Sequence, residues 1–192
     1  MCPSTLRLAG LFRSPPVLLV ALTLIGCAGG EARVAGSPRP ASLTPTPYVR
    51  AGLVPATVTR IVDGDTIRVD IAGKNYRLRY IGIDTPETVD PRRPVGCFGK
   101  EASERNRQLV EGRTVGLEKD VSETDPFGRL LRYVWVEDQM VNEALVAEGY
   151  AVASTYPPDV RYSSLFASLQ GQAREGQRGL WGAACAGGTS PR

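Results

Sequence analysis

Residues 65–71, DTIRVDI, alternate cleanly: Ile67, Val69 and Ile71 fall on one side of an extended chain and Thr66, Arg68 and Asp70 on the other. This period of two predicts a strand with one buried face. TVTRIVD (57–63) reads as the strand before it, joined across Gly64, and AGKN (72–75) as the turn into a third strand, YRLRYIGI (76–83). The three form a meander. A proline-broken loop, TVDPRRPVGCF (88–98), follows, and the period then lengthens. In FGKEASERNRQLVEGR (98–113), Ala102, Asn106, Leu109 and Val110 share one helical face and Gly112 suits a C-terminal cap. TVGLEK (114–119) and RLLRYVWV (129–136) predict two more strands. VNEALVAEG (141–149) sets Val141, Ala144, Leu145 and Glu148 on one side of a second helix, and RYSSLFASLQGQAREG (161–176) aligns Leu165, Leu169 and Ala173 along a third. The order β-β-β-α-β-β-α-α predicts an α+β domain, mainly β barrel, with five short strands in an OB-like arrangement and three packed helices.

Upstream of residue 56 the pattern is different. Residues 1–26 carry Arg7 and Arg13, no acid, and then the apolar run PPVLLVALTLIG, too short to span a bilayer as a mature helix and suited to the core of a signal peptide. Its end, LTLIGCAGG, resembles a bacterial lipoprotein signal, with Leu24, Ile25 and Gly26 preceding Cys27, the residue such a signal lipidates. The expectation is an exported protein held at a membrane by lipid on Cys27. The alternatives are a secreted protein cut nearby or an uncleaved anchor with an incidental cysteine. Residues 27–55, with Pro38, Pro40, Pro45, Pro47 and Pro55 among small polar residues, read as a semi-extended tether. The domain is expected over 56–185 and a flexible tail over 186–192.

Charge changes the picture in one respect. The net +3 of the whole chain suggests a basic binding protein, yet the first 26 residues contribute +2, residues 27–55 another +2 and Arg192 +1, which leaves 56–185 at −2. Any recognition of phosphate must therefore come from a few placed arginines rather than from bulk charge. After processing at Cys27, Cys97 and Cys185 remain unassigned. Outside the cytoplasm such a pair is most simply a disulfide; two free thiols or a two-ligand metal site are the other options.

Two charges sit badly in the strand pattern. Asp65 is in phase with Ile67 and Val69, and Arg79 with Ile81 and Ile83, so each puts an ionised group on an otherwise apolar face. A buried charge is costly unless paired or metal-bound, and Asp65 and Arg79 are also able to neutralise each other. The chain contains no histidine, which excludes Ser-His-Asp catalysis and any hydrolase that depends on a histidine base.

VDGDT (62–66), RYIGIDTPET (79–88), FGKEAS (98–103), DPFGRLLRYVWV (125–136), MVNEALVAEGYA (140–151) and GLW (179–181) resemble, in order, the staphylococcal nuclease family, over about Thr57 to Trp181. The resemblance implies a five-stranded OB-fold barrel with three helices that hydrolyses DNA and RNA with calcium, and a monomer is expected. It implies Asp65 and Asp84 as carboxylate ligands of the ion and Thr85 as a backbone carbonyl ligand. It further implies Arg79 and Arg129 on the scissile phosphate, Glu87 as general base toward the attacking water, and 3′-phosphate products. Calcium is a hard cation that takes oxygen donors, and planar arginines hold two phosphate oxygens where lysine offers one point charge.

Departures from the family are visible too. Cys97 and Cys185 would tie the C-terminal tail to the loop beside the implied site. AVASTYPPDV (151–160) aligns loosely with the family's aromatic pocket, leaving Tyr156 as the candidate for lining the nucleotide site and Ser154 or Thr155 where a second ring is expected. Taken one at a time, these residues have plainer roles: Asp84, Thr85 and Glu87 as a polar turn, Arg129 paired with Asp125 or Glu123, and Asp63 or Asp65 as the cap of a bend at Gly64. The rival class is a catalytically silent OB-type nucleic-acid-binding module or a surface scaffold lipoprotein.

Overall fold

The meander forms where the alternation places it. In the computed structural model, which describes residues 50–86, 88 and 96–185, β1 (Val54–Asp63) pairs antiparallel with β2 (Thr66–Ile71), and β2 pairs with β3 (Lys74–Tyr80). Next come β4 (Ile83–Asp84), α1 (Gly99–Val110), β5 (Thr114–Glu118), β6 (Leu130–Val136), β7 (Gln139–Met140), α2 (Val141–Ala147), β8 (Val152–Ala153) and α3 (Ser163–Glu175). The sheet order is β3-β2-β1-β5-β6-β7, and a parallel pairing of β3 with β6 closes the first five of these into a barrel. The result is a five-stranded closed mixed barrel with three helices. Its core contains Ile67, Val69, Leu78, Tyr80, Val115, Val134, Leu145 and Phe166.

Three details differ from the sequence pattern. The third strand stops at Tyr80 instead of continuing to Ile83, because the chain turns through Ile81 and Gly82, where Gly82 has φ +77°. A Cβ at Gly82 would lie 2.7 Å from the Phe166 ring of α3, so only glycine fits the turn. Beyond it, β4 pairs with β8 instead of joining the barrel. Secondly, α3 packs through Tyr162, Phe166, Leu169 and Ala173, while Leu165, expected inside, is exposed. Those four are spaced i, i+4, i+7, i+11, which is a single helical stripe, and Leu165 lies off it. Thirdly, β1 begins at Val54, with Val54 opposite Leu117 and Pro55 opposite Gly116, so the barrel reclaims residues assigned to the tether.

Two buried amides hold the turn after β3. Asn142 accepts from Val134 N at 2.9 Å and donates from Nδ2 to Ile81 O at 2.9 Å, tying α2 to both β6 and the turn. Asn106 accepts from Tyr80 Oη at 2.9 Å and donates to Asp63 O at 3.0 Å, tying α1 to the ends of β3 and β1. Each amide is fully buried with both its donor and its acceptor engaged, the arrangement a polar group in a core requires.

Cys97 and Cys185 form a disulfide, with Cα atoms 5.8 Å apart and a sequence separation of 88, so the free-thiol and metal-site options fall. Closing a loop of that length stabilises by about 4–5 kcal/mol in the chain-entropy account. Reduction is therefore expected to lower the melting temperature by on the order of 10 °C, read by calorimetry with and without dithiothreitol. An unchanged melting temperature in protein shown to be reduced would remove the bridge as a stabilising element.

Candidate active site

The turn at Gly82 folds the chain back so that one arginine meets two acids. Arg79, at the end of β3, donates through Nη1 to Asp65 Oδ1 and through Nη2 to Asp84 Oδ1 at 2.5 Å, with a longer bond from Nη2 to Ile83 O at 3.3 Å. Asp65 stands in the β1–β2 turn with its side chain 1% exposed, against 20% for Arg79. Thr66 Oγ1 donates to Asp65 Oδ1 at 3.0 Å, and Thr85 donates to Asp65 Oδ2 from both N (2.8 Å) and Oγ1 (3.0 Å). Burial pushes the Asp65 carboxyl above the ordinary aspartate range, with Arg79 and the Thr85 amide pulling against it. Burial would lower Arg79, but Asp65 and Asp84 more than compensate and keep it firmly charged. Gly64 makes this approach possible, because a Cβ there would sit 2.7 Å from Thr85 Oγ1.

A cavity of about 420 Å³ opens beside Arg79, lined also by Ile83, Asp125, Phe127, Arg129 and Tyr156. The β5–β6 loop presents Arg129. Asp125 Oδ1 accepts from the backbone N of Phe127 and of Arg129, both at 2.9 Å, while Asp125 Oδ2 accepts from Arg129 Nε at 2.5 Å. Burial raises the Asp125 carboxyl, but the Arg129 amide and guanidinium outweigh it and hold the group below its usual range. Phe127 is 82% exposed with the Arg129 guanidinium 5.5 Å from its ring centroid, and Tyr156 is 70% exposed. Two arginines and two exposed rings thus face one cavity, a combination suited to holding a phosphate and stacking a planar group.

The family model described as "Staphylococcal nuclease homologue" matches residues 77–183, a span that takes in Arg79, Asp84, Arg129 and Tyr156. The chain belongs to the staphylococcal nuclease family. Among its relatives, a protein named "Thermonuclease" from Staphylococcus hyicus is 44% identical over 140 residues, covering 70% of this chain and 83% of the relative. A second "Thermonuclease", from Staphylococcus intermedius, is 44% identical over 124 residues, 65% of this chain and 74% of the relative. "Endonuclease YncB" of Bacillus subtilis (strain 168) is 39% identical over 140 residues, 72% of this chain and 66% of the relative.

Of the residues that the likeness to the staphylococcal nuclease family nominates, the structure brings Asp65, Arg79, Asp84 and Thr85 together and sets Arg129 and Tyr156 on the adjoining cavity. Thr85 meets Asp65 through its amide and hydroxyl. Arg129 is paired with Asp125, whereas Glu123 pairs with Arg132 and Lys119. Ser154 also lines the cavity, its amide donating to Gly82 O at 2.9 Å, so a small residue stands where a second ring was sought. Glu87 and Cys27 lie outside the described residues.

Asp63 caps the bend at Gly64 through the bond from Gly64 N to its Oδ1 (2.8 Å), but sequence reasoning missed that the same oxygen also accepts from Thr88 Oγ1 (2.7 Å) and Ser103 Oγ (3.2 Å). Asp63 joins the start of the loop after Pro86 to α1 and the β1–β2 turn. A signal existed, since VDGDT carries two acids around one glycine. Phe127 was missed as well; a large apolar ring in the turn DPFG, with no strand or helix to bury it, was the available clue.

Proposed function

We propose that the protein is a calcium-dependent nuclease that hydrolyses phosphodiester bonds in DNA and RNA by attack of water. The observation that carries this is the convergence of Asp65 and Asp84 on Arg79 at the edge of a cavity shared with Arg129. Membership of the family and relatives named thermonuclease and endonuclease support the reaction class.

The donor chemistry fits a calcium ion. Two carboxylates face one guanidinium, which leaves one negative charge uncompensated among Asp65, Asp84 and Arg79, and every candidate ligand is an oxygen. Asp65, Asp84 and the Thr85 carbonyl would hold the ion, fewer donors than calcium takes, so water and phosphate oxygens would have to supply the rest. When bound, calcium supplies Lewis-acid stabilisation of phosphate charge. The remaining work falls to side chains. Arg79 and Arg129 place fixed positive charge where the phosphorus gathers negative charge as it becomes five-coordinate. Glu87 takes the proton of the attacking water, and Tyr156 stacks on a base beside the cavity. Cleavage is expected to leave 3′-phosphate ends.

The test is release of acid-soluble nucleotides from denatured DNA by the purified protein in millimolar calcium, with and without chelator, followed by identification of the product ends. Release that chelator abolishes is the expected result. No release under any divalent cation would point to a silent binding module, and 5′-phosphate ends would require a different mechanism.

A further inference from the structure

Three arginines stand side by side on the outer face of the meander. In the strand registers Arg60 of β1 is opposite Arg68 of β2, and Arg68 is opposite Arg77 of β3. All three side chains are exposed, and none has an ion-pair partner among the described residues. Asp70, which shares the face two residues beyond Arg68, is turned to the β2–β3 turn, where its Oδ1 accepts from Gly73 N at 2.9 Å. Like charges directly opposite each other on neighbouring strands destabilise a sheet. Here two such pairs run in succession, in a domain whose net charge over 56–185 is −2. Folding alone gives no reason to concentrate positive charge on this face.

The row has a direction. Arg77 and Arg79 are two residues apart on β3, hence on the same face and about 7 Å apart along the strand, and Arg79 lines the cavity. Arg60, Arg68 and Arg77 therefore form a band across three strands that ends beside the site.

We propose that Arg60, Arg68 and Arg77 are a binding track for the phosphate backbone of an extended polynucleotide, holding the strand beyond the bond that is cut. This rests on the proposed nuclease function and adds a second element, recognition of chain length outside the cavity. Guanidinium groups on a sheet surface suit successive phosphates because each is a planar, permanently charged donor and needs no base contact. The track predicts preference for long strands over dinucleotide-sized substrates without preference for sequence.

The triple variant Arg60→Gln/Arg68→Gln/Arg77→Gln tests it. Its melting temperature should equal or exceed that of the parent, since opposed charges are removed. On long single-stranded DNA, kcat/KM should fall at least tenfold further than on a p-nitrophenyl phosphodiester of thymidine, mainly through KM. In chelator, a fluorescent oligothymidylate titrated with salt should show the slope of log K against log salt reduced by about 2, as three phosphate contacts on a single strand require. The triple Arg→Lys variant should keep the parent slope. Equal losses on both substrates, or an unaltered salt slope, would overturn the track. So would loss of binding to phosphatidylglycerol vesicles with oligonucleotide binding intact, which would assign the face to an anionic membrane. A parent protein that cleaves neither substrate sinks the nuclease reading instead, and the salt slope still decides the track.

Discussion

Arg79→Gln is expected to reduce kcat on single-stranded DNA by about 10²- to 10³-fold, the scale of losing one preorganised donor to transition-state charge. Arg79→Lys should recover only part of this, because one ammonium cannot span two acceptors as the guanidinium spans Asp65 and Asp84. The same change has a structural cost. Asp65 is 1% exposed and Arg79 is its cationic partner; removing one member of a buried pair costs about 3 kcal/mol when the other stays charged. That cost should depend on pH in a direction the burial dictates. With Arg79 present the Asp65 carboxyl already lies above the ordinary range because burial dominates; without Arg79 it rises further. A group with a raised folded pKa favours the folded state below its unfolded value, near 4 for aspartate, and that advantage is lost as pH climbs through the folded value. In chelator, the destabilisation of Arg79→Gln measured by urea unfolding should therefore be smallest near pH 4 and grow toward pH 8. A gap between variant and parent that is constant across this range would mean that Asp65 does not depend on Arg79 for its charge.

The second large effect concerns the proposed base. Glu87→Gln is expected to lower kcat by about 10²- to 10⁴-fold, the usual range for general-base assistance, with KM within a few-fold of the parent. A chain without histidine leaves a carboxylate as the natural proton acceptor at neutral pH. The residues described on either side of Glu87 are held by acids of the site. Thr85 is bonded to Asp65, and Thr88 donates to Asp63 at 2.7 Å, so both ends of the short segment are tied to buried acids beside the site. The pH profile supplies an independent readout: the acid limb of kcat/KM in the parent should report the titration of a carboxylate and should disappear in the residual activity of Glu87→Gln. Activity within threefold of the parent would remove Glu87 from the mechanism and turn attention to other acids.

Much of the site could be read because it is local. Asp84 and Thr85 follow Arg79 within six residues, and a single strand end delivers all three. What separated them from an ordinary polar turn was not local. At the turn through Gly82 the Phe166 ring, 84 residues away in sequence, leaves no space for a Cβ, so only glycine fits there; no periodicity in RYIGID records that ring. Leu165 illustrates the same limit, since two overlapping stripes on α3 satisfy a period near 3.6 and only contact with the barrel chooses the one through Phe166.

By itself the sequence determined the five barrel strands, the three helices and the exclusion of histidine chemistry, because these follow from residue type and short-range spacing, while the acids and arginines of the site were nominated by likeness to the staphylococcal nuclease family. Tertiary structure decided the rest. Closure of β3 on β6, with Arg79 opposite Leu131, carries Arg129 to the cavity beside Arg79. Strand register decides that Arg60, Arg68 and Arg77 oppose one another, since alternation shows which side a residue faces but not its neighbour on the next strand. Asp63 gained its role from donors 25 and 40 residues further along the chain. In each case the interaction is between groups far apart in sequence, and only burial of the barrel core supplies the free energy that brings them together.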